Sequence, residues 1–304
     1  MKVYIQQVDG KFPDDWIYAA WLGFNKLGAE IFFFEDLQEV PKSKRNIVIS
    51  YVEETSNYFR NIGVMIPIPI NIPYILEKYT KREINYTTMG EFKKNVKTPI
   101  FVKPKNRFKG FPSGVIKNES SKKFVFNDVQ DSEEILTSSL IEMVTEYRCF
   151  VYKQELVGIQ WYGGNFEIFP DIQIVKDIIN DFKELAPISY TVDVAVTDKN
   201  ETVLVEIQDF WSLCNYGLEA KIYAKMLRDR WFEIVGRKEL ELQINDILGK
   251  HIREVDDLCN KNHWSFSIRK KDGKILYYAG GAVVRLRNFE LTVVKDIVTS
   301  AAIG

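Results

Sequence analysis

The chain has 304 residues, 46% of them hydrophobic and 27% charged, with 41 basic and 42 acidic side chains and a formal net charge of -1. At roughly 100–200 residues per domain this length accommodates two globular domains and a tail, and the composition excludes long disorder. The balanced charge removes the electrostatic basis for nonspecific nucleic-acid or anionic-membrane binding.

The N-terminus runs directly into an apolar strand, and Asp9 and Gly10 interrupt it before a signal-peptide core can form. No apolar run approaches the roughly 20 residues of a membrane span, so a cytoplasmic protein is expected. Residues 3–5, 31–34 and 46–50 read as strands, and residues 14–26 carry Trp16, Ala19, Ala20 and Phe24 at helical spacing. This alternation predicts a small parallel α/β unit over residues 1–94. It lacks a GxGxxG after the first strand, so it is expected to position a substrate rather than a dinucleotide.

Three prolines interleaved with isoleucine in residues 66–73 forbid helix and predict an extended crossover. Residues 74–82 and 87–94 read as short helices. A second unit is expected over residues 95–236. It begins with a strand ended by Pro104, turns through a glycine loop at 109–114, and resumes at Val115. Strands follow at 148–158, 190–196 and 202–207, then a helix at 215–235 with Leu218, Ile222, Met226 and Ile234 near one face. Residues 237–304 read as a helix, a hairpin around Asp272-Gly273 and a final strand-like segment, with no role assigned. No internal repeat is present.

The residues that carry chemistry are spread over about 120 positions, and their order is informative. Lys103 ends an apolar strand, where an ammonium suits phosphate oxygens, and Lys109 opens a loop whose Gly110 and Gly114 let backbone N–H groups approach the same oxygens. Asp193 and Glu206 sit on apolar strands, where an unpaired carboxylate is costly unless it meets a cation. The intervening residues suffice for two antiparallel strands joined by a turn at 198–201, which puts both carboxylates near one end of adjacent strands. As like charges awaiting an ion, they are expected to repel, so neutralising either should leave stability level or higher. Three separated cysteines (Cys149, Cys214, Cys259) and two histidines (His251, His263) make neither a disulfide framework nor a zinc motif.

In this order the chain resembles the ATP-grasp superfamily, over residues 95–236 and, in the small α/β unit that precedes them, over 1–94. The resemblance implies a nucleotide held between two sheet-containing subdomains, with Lys103 on the phosphates and a flap of Lys109, Gly110, Ser113 and Gly114 above them. It implies Asp193, Glu206 and Gln208 on Mg2+, Gln208 standing where the family has asparagine in Glu-x-Asn. It sets Ile141, Glu142 and Met143 at the adenine and ribose, Glu142 being favoured for the ribose hydroxyls. Glu146 and Arg148 would face the nucleotide phosphates or the acceptor; a plain ion pair on one strand face is the alternative left open. Arg148 and Lys109 are the candidates for a catalytic role, and Ser212 and Asn215, in the loop after the metal strand, for acceptor contact.

The implied activity is an ATP- and Mg2+-dependent ligase that joins a carboxylate to an amine through an acyl-phosphate, with a small molecule or a peptide supplying each. A phosphotransferase on the same fold and a catalytically weak nucleotide-binding protein are the alternatives. The Lys270-Lys271-Asp272-Gly273 match to the KxDG of covalent nucleotidyltransferases has too little chain after it for that fold, and Asp-Gly is a common hairpin turn.

Overall fold

The computed structural model describes residues 1–106, 110–236, 247–261, 264–271, 274–281 and 288–303. The chain starts with β1 (Lys2–Gln6), α1 (Asp15–Lys26), β2 (Glu30–Phe34), β3 (Asn46–Ile49) and α2 (Val52–Asn61). The three strands form a parallel sheet in the order β2-β1-β3, as the alternation of strand and helix signals predicts. β3 is buried along its whole length, so it reads as a continuous apolar run. The proline-rich segment follows with neither helix nor strand, and at Asn71 it bridges to a later strand at Ile207.

A second, antiparallel sheet has the order β4-β7-β5-β6, built from β4 (Ile84–Thr88), β5 (Ile100–Pro104), β6 (Gly114–Ile116) and β7 (Glu134–Ser138). α3 (Met89–Lys94) and α4 (Glu119–Phe126) accompany it. Met89, Phe92, Val102, Phe111, Ile116, Val125 and Ile135 form its buried core. Val102 takes the core face of β5, so Lys103 falls on the opposite one. Residues 84–94, expected to close the first unit, instead supply a strand and a helix to this sheet. Residues 74–79, expected as the start of a helix, form a 3₁₀ turn.

The third sheet has the order β11-β10-β8-β9, with β8 (Met143–Tyr152), β9 (Glu155–Gly164), β10 (Ser189–Thr197) and β11 (Thr202–Asp209) all antiparallel. α5 (Ile172–Phe182) packs its apolar face on it through Val175, Ile178, Ile179 and Phe182. The segment expected as one strand over 148–158 is a hairpin. It turns at Lys153 and Gln154, both of which carry positive φ.

The long helix α6 (Ala220–Gly236) returns to the first sheet. Its Tyr223, Ala224, Leu227 and Trp231 share one core with Val3, Ile5, Phe24 and Phe59. α1 and α6 meet at Gly23, where an added Cβ would lie 1.9 Å from the Ala220 carbonyl oxygen and 2.7 Å from Ala224 Cβ. Gly23→Ala should therefore force the helices apart and destabilise the fold by about 1–3 kcal/mol, measured as a lowered urea midpoint. An unchanged midpoint would mean that the two helices are not held together at this point.

The C-terminal unit is α7 (Ile252–Lys261) followed by a four-stranded meander, β12 (Trp264–Lys271), β13 (Lys274–Gly281), β14 (Asn288–Val294) and β15 (Ile297–Ile303). β12 and β13 make the expected hairpin, with Lys271 opposite Lys274; Asp272 and Gly273 lie outside the described residues. The final segment is two strands rather than one, turning at Lys295 and Asp296 with positive φ. Among the described residues, no helix is long and apolar enough to cross a membrane.

Candidate active site

Antiparallel pairing of β10 with β11 sets Asp193 directly opposite Glu206, and pairing of β10 with β8 sets Arg148 opposite Asp193. Arg148 grips Asp193 with two hydrogen bonds, Nε to Oδ1 at 2.9 Å and Nη2 to Oδ2 at 2.7 Å. Gln208 Nε2 donates to Asp193 Oδ2 at 3.0 Å and also to Glu206 Oε1. Lys103, from the second sheet, donates to Glu206 Oε2 at 2.5 Å. The result is a charge chain, Arg148–Asp193–Gln208–Glu206–Lys103, in which a neutral amide bridges two carboxylates and a cation closes each end, and it joins the two sheets.

Burial divides this chain. Asp193 is 2% exposed and Arg148 5%, whereas the Lys103 and Glu206 side chains keep 20% and 25% of their surface. Burial pushes the Asp193 carboxyl up, Arg148 opposes it, and the Glu206 charge adds to the rise. Burial also works against the Arg148 cation, but Asp193 outweighs it and the guanidinium stays charged. At Glu206 burial is outweighed by Lys103, which holds the carboxyl below its ordinary value. Tyr216 and Tyr162 cover Arg148, with ring centroids 4.7 Å and 5.9 Å from its guanidinium carbon. Tyr162 donates to Glu146 at 3.1 Å; its phenol is pushed up by burial and by the Asp193 and Glu146 carboxylates.

A cleft of about 990 Å³ opens between the second and third sheets. Phe101, Val115, Leu136, Ile141 and Met143 make its apolar lining, and Arg82, Lys103, Ser113, Ser138, Glu146 and Glu206 are among its polar groups. Apolar walls with a few convergent polar groups are the usual form of a ligand site. Two of those groups are buried donors without a partner, Arg82 Nε and Ser138 Oγ. Burial pushes the Arg82 cation down, and Glu206 and Glu146 only partly offset this. Its Nη2 bonds the Val205 carbonyl at 2.6 Å. A phosphate-bearing ligand fits that donor set.

Of the residues singled out in the sequence, Lys103, Ser113, Ile141, Met143, Glu146 and Glu206 lie together on this cleft. Asp193, Gln208 and Arg148 join it through the charge chain. Glu142, favoured for a ribose, is exposed and outside the lining, and its carbonyl accepts the Asp198 N–H at 3.3 Å. Gly110 and Gly114 are also outside the lining, Gly114 opening β6 opposite Val102. Lys109 falls outside the described residues. Ser212 ties its loop to the first sheet by donating to the Ser50 carbonyl at 3.0 Å. Asn215 closes a local turn on the Leu218 carbonyl at 3.2 Å.

Sequence reading passed over Arg82 and Ser138. The available signal was the period-two alternation of Ile84, Tyr86 and Thr88, which marks a strand beginning just after Arg82. The two carboxylates and the Gln208 amide are oxygen donors of the kind a hard divalent cation takes, with phosphate oxygens to complete the shell. Among the described residues there is no group of three or more His, Cys, Asp or Glu side chains that could hold a metal. The donor set therefore fits an ion shared with a bound phosphate, not an ion held by protein alone. The amide of Gln208 presents nitrogen to both carboxylates and must turn over to ligate.

The model of the ATP-grasp domain, R2K clade family 2, matches residues 79–226. A comparison with curated proteins finds no match. Among solved structures, that of the D-cycloserine synthetase DcsG is similar with a TM-score of 0.51 at 11% identity, over 76% of this chain and 100% of that one. A RimK-domain ATP-grasp protein from Sphaerobacter thermophilus gives 0.46 at 14% identity, over 75% and 100%. The D-alanine–D-alanine ligase of Bacillus anthracis gives 0.45 at 13%, over 78% and 97%. Residues 79–226, which take in the second and third sheets, most of the cleft lining and the charge chain, are an ATP-grasp domain.

Proposed function

We propose that the protein is an ATP- and Mg2+-dependent ligase that joins a carboxylate to an amine through an acyl-phosphate. The observation that carries this reading is the in-register carboxylate pair, Asp193 and Glu206, bridged by Gln208 and facing Lys103 across the cleft. An array of fixed charges without a nucleophilic side chain suits phosphoryl transfer, where catalysis is positioning and charge neutralisation.

In this reading the apolar part of the cleft receives the base, with backbone groups around Ile141 and Met143 at its edge, and Glu146 takes the ribose. Lys103, Arg82 and Ser138 contact the phosphates, and Glu206, Gln208 and Asp193 hold the metal side. Mg2+, when bound, would neutralise charge on the phosphate oxygens. The substrate carboxylate attacks the γ-phosphorus and ADP leaves; the amine then displaces phosphate from the acyl carbon. Arg148 fixes the Asp193 carboxylate from behind. The chain divides into a substrate-side unit, an ATP-grasp unit that takes in β4 and α3 and so starts before residue 84 rather than after 94, and an accessory unit beyond residue 236.

The experiment that tests this is ATP-dependent phosphate release screened over amino acids and short peptides, with mass detection of the coupled product. A phosphorylated product without a C–N bond would replace the ligase with a phosphotransferase; nucleotide binding without turnover would leave a binding protein. Arg82→Leu should raise KM for ATP by about 10–100-fold, the worth of a charge-assisted hydrogen bond in a buried site, with a smaller effect on kcat. An unchanged KM would take Arg82 off the phosphates.

A further inference from the structure

A second cavity of about 530 Å³ adjoins the large cleft and shares Lys103, Ser113 and Glu206 with it. Pro69, Ile70, Pro104 and Ile207 give it an aliphatic surface. Its polar groups are the Glu206 and Asp209 carboxylates, the Asn71 and Gln208 amides and the Ser113 hydroxyl; Glu206 is bonded to Lys103 and Asp209 to the buried Arg230. The sequence reading assigned nothing to Asn71. It is 3% exposed and holds a left-handed conformation, φ 60°, which asparagine tolerates better than most residues.

Asn71 ties three segments together. Its carbonyl accepts the Ile207 N–H at 2.7 Å, and its side-chain Nδ2 donates to the Lys105 carbonyl at 2.8 Å and, at 3.5 Å, to that of Pro69. These carbonyls fix the amide, because turning it over would set oxygen against oxygen. That leaves Oδ1, which is buried and has no partner. A buried acceptor left unbonded is costly, and a donor brought by a ligand relieves the cost.

We propose that this cavity is the amine subsite and that Asn71 Oδ1 accepts a hydrogen bond from the amine that attacks the acyl-phosphate. The inference rests on the ligase reading. With each carboxylate already paired to a cation, the aliphatic surface and the unbonded Asn71 oxygen suit a small aliphatic amine, which enters in its neutral form and whose N–H groups Asn71 orients. In the coupling step the neutral amine forms the C–N bond, the bond from the acyl carbon to the phosphate oxygen breaks with its electron pair, and the amine proton leaves on phosphate as HPO4²⁻. Asn71 takes no proton. Lys103 and Glu206, common to both cavities, mark where phosphate and amine meet.

The experiment separates the two half-reactions. With an acid found by the screen and no amine, exchange of ¹⁸O between the bridging and non-bridging positions of the ATP β,γ-phosphates reports reversible acyl-phosphate formation; methylamine then serves as the probe for coupling. Asn71→Gly keeps the left-handed backbone without the oxygen, and Ile70→Trp fills the cavity. In both, KM for methylamine should rise at least tenfold, and coupling should fall at least tenfold more than exchange does. Intact exchange with an unchanged methylamine KM in Asn71→Gly and Ile70→Trp overturns this assignment alone, as does a parallel fall of exchange and coupling. No exchange in the wild-type protein with any acid overturns the ligase reading and the amine subsite with it.

Discussion

Asp193→Asn is expected to lower the stability of the whole fold by about 3–5 kcal/mol, read as a fall in the urea midpoint by tryptophan fluorescence. The sequence alone suggests the opposite, because two carboxylates awaiting an ion repel and removing one should help. The structure gives Asp193 a partner that changes the sign. Arg148 spends two hydrogen bonds on it, both side chains are almost fully buried, and burial opposes the charge on each. Asparagine leaves the guanidinium buried without its counter-charge. Arg148→Met in the same background should recover much of the loss, since it removes the stranded cation, and the two changes should be strongly non-additive. A midpoint for Asp193→Asn level with the wild type would mean that the pair does not hold β8 and β10 together and that Asp193 serves the metal side alone.

How much of this was legible follows from which signals are local. Lys103 and Glu206 were readable because each closes an apolar run, and the spacing of Asp193 and Glu206 gave their antiparallel pairing, which sets the two directly opposite each other. Arg148 and Asp193 are 45 positions apart, and their pairing depends on β8 lying beside β10, which no local pattern states. The turns at Lys153-Gln154 and Lys295-Asp296 take positive φ without the glycine or asparagine that usually announces it, so one hairpin was read as a single strand and the last two strands as one segment. The helix at 220–236 was readable as a helix, but not its partner: its buried face completes the core of a sheet formed from the first fifty residues. Arg82 went unnoticed because a lone arginine between two short elements has no pattern; its meaning lies in the unpartnered Nε on a cleft wall.

Glu206→Gln should act on turnover where Asp193→Asn acts on the fold. The Glu206 side chain is a quarter exposed on a cleft wall, and its amide replacement still offers an oxygen to Lys103, so the stability change should stay within about 1 kcal/mol. The sign with pH can be worked out. Lys103 holds the Glu206 carboxyl below its ordinary value in the folded chain, so its charge contributes stability that is present above the unfolded carboxylate range and fades as pH falls through the folded value. Whatever difference in stability exists between wild type and Glu206→Gln should therefore be largest at neutral pH and shrink on acidification. Turnover should fall by roughly 10²–10³-fold, the usual cost of removing one fixed charge from a site that stabilises phosphoryl transfer, and excess magnesium should restore part of it. The measurement is a magnesium titration of ATP-dependent phosphate release at fixed ATP, run beside Gln208→Asn and Gln208→Leu. If Glu206 carries the ion, its variant shifts the magnesium requirement most. Gln208→Asn should then stay active, and Gln208→Leu should fall between, because Gln208 must turn its amide oxygen toward the ion to contribute and the carboxylate need not. A Glu206→Gln enzyme with an unshifted magnesium requirement would separate the lysine–glutamate contact from metal binding and leave it as a latch between the two sheets.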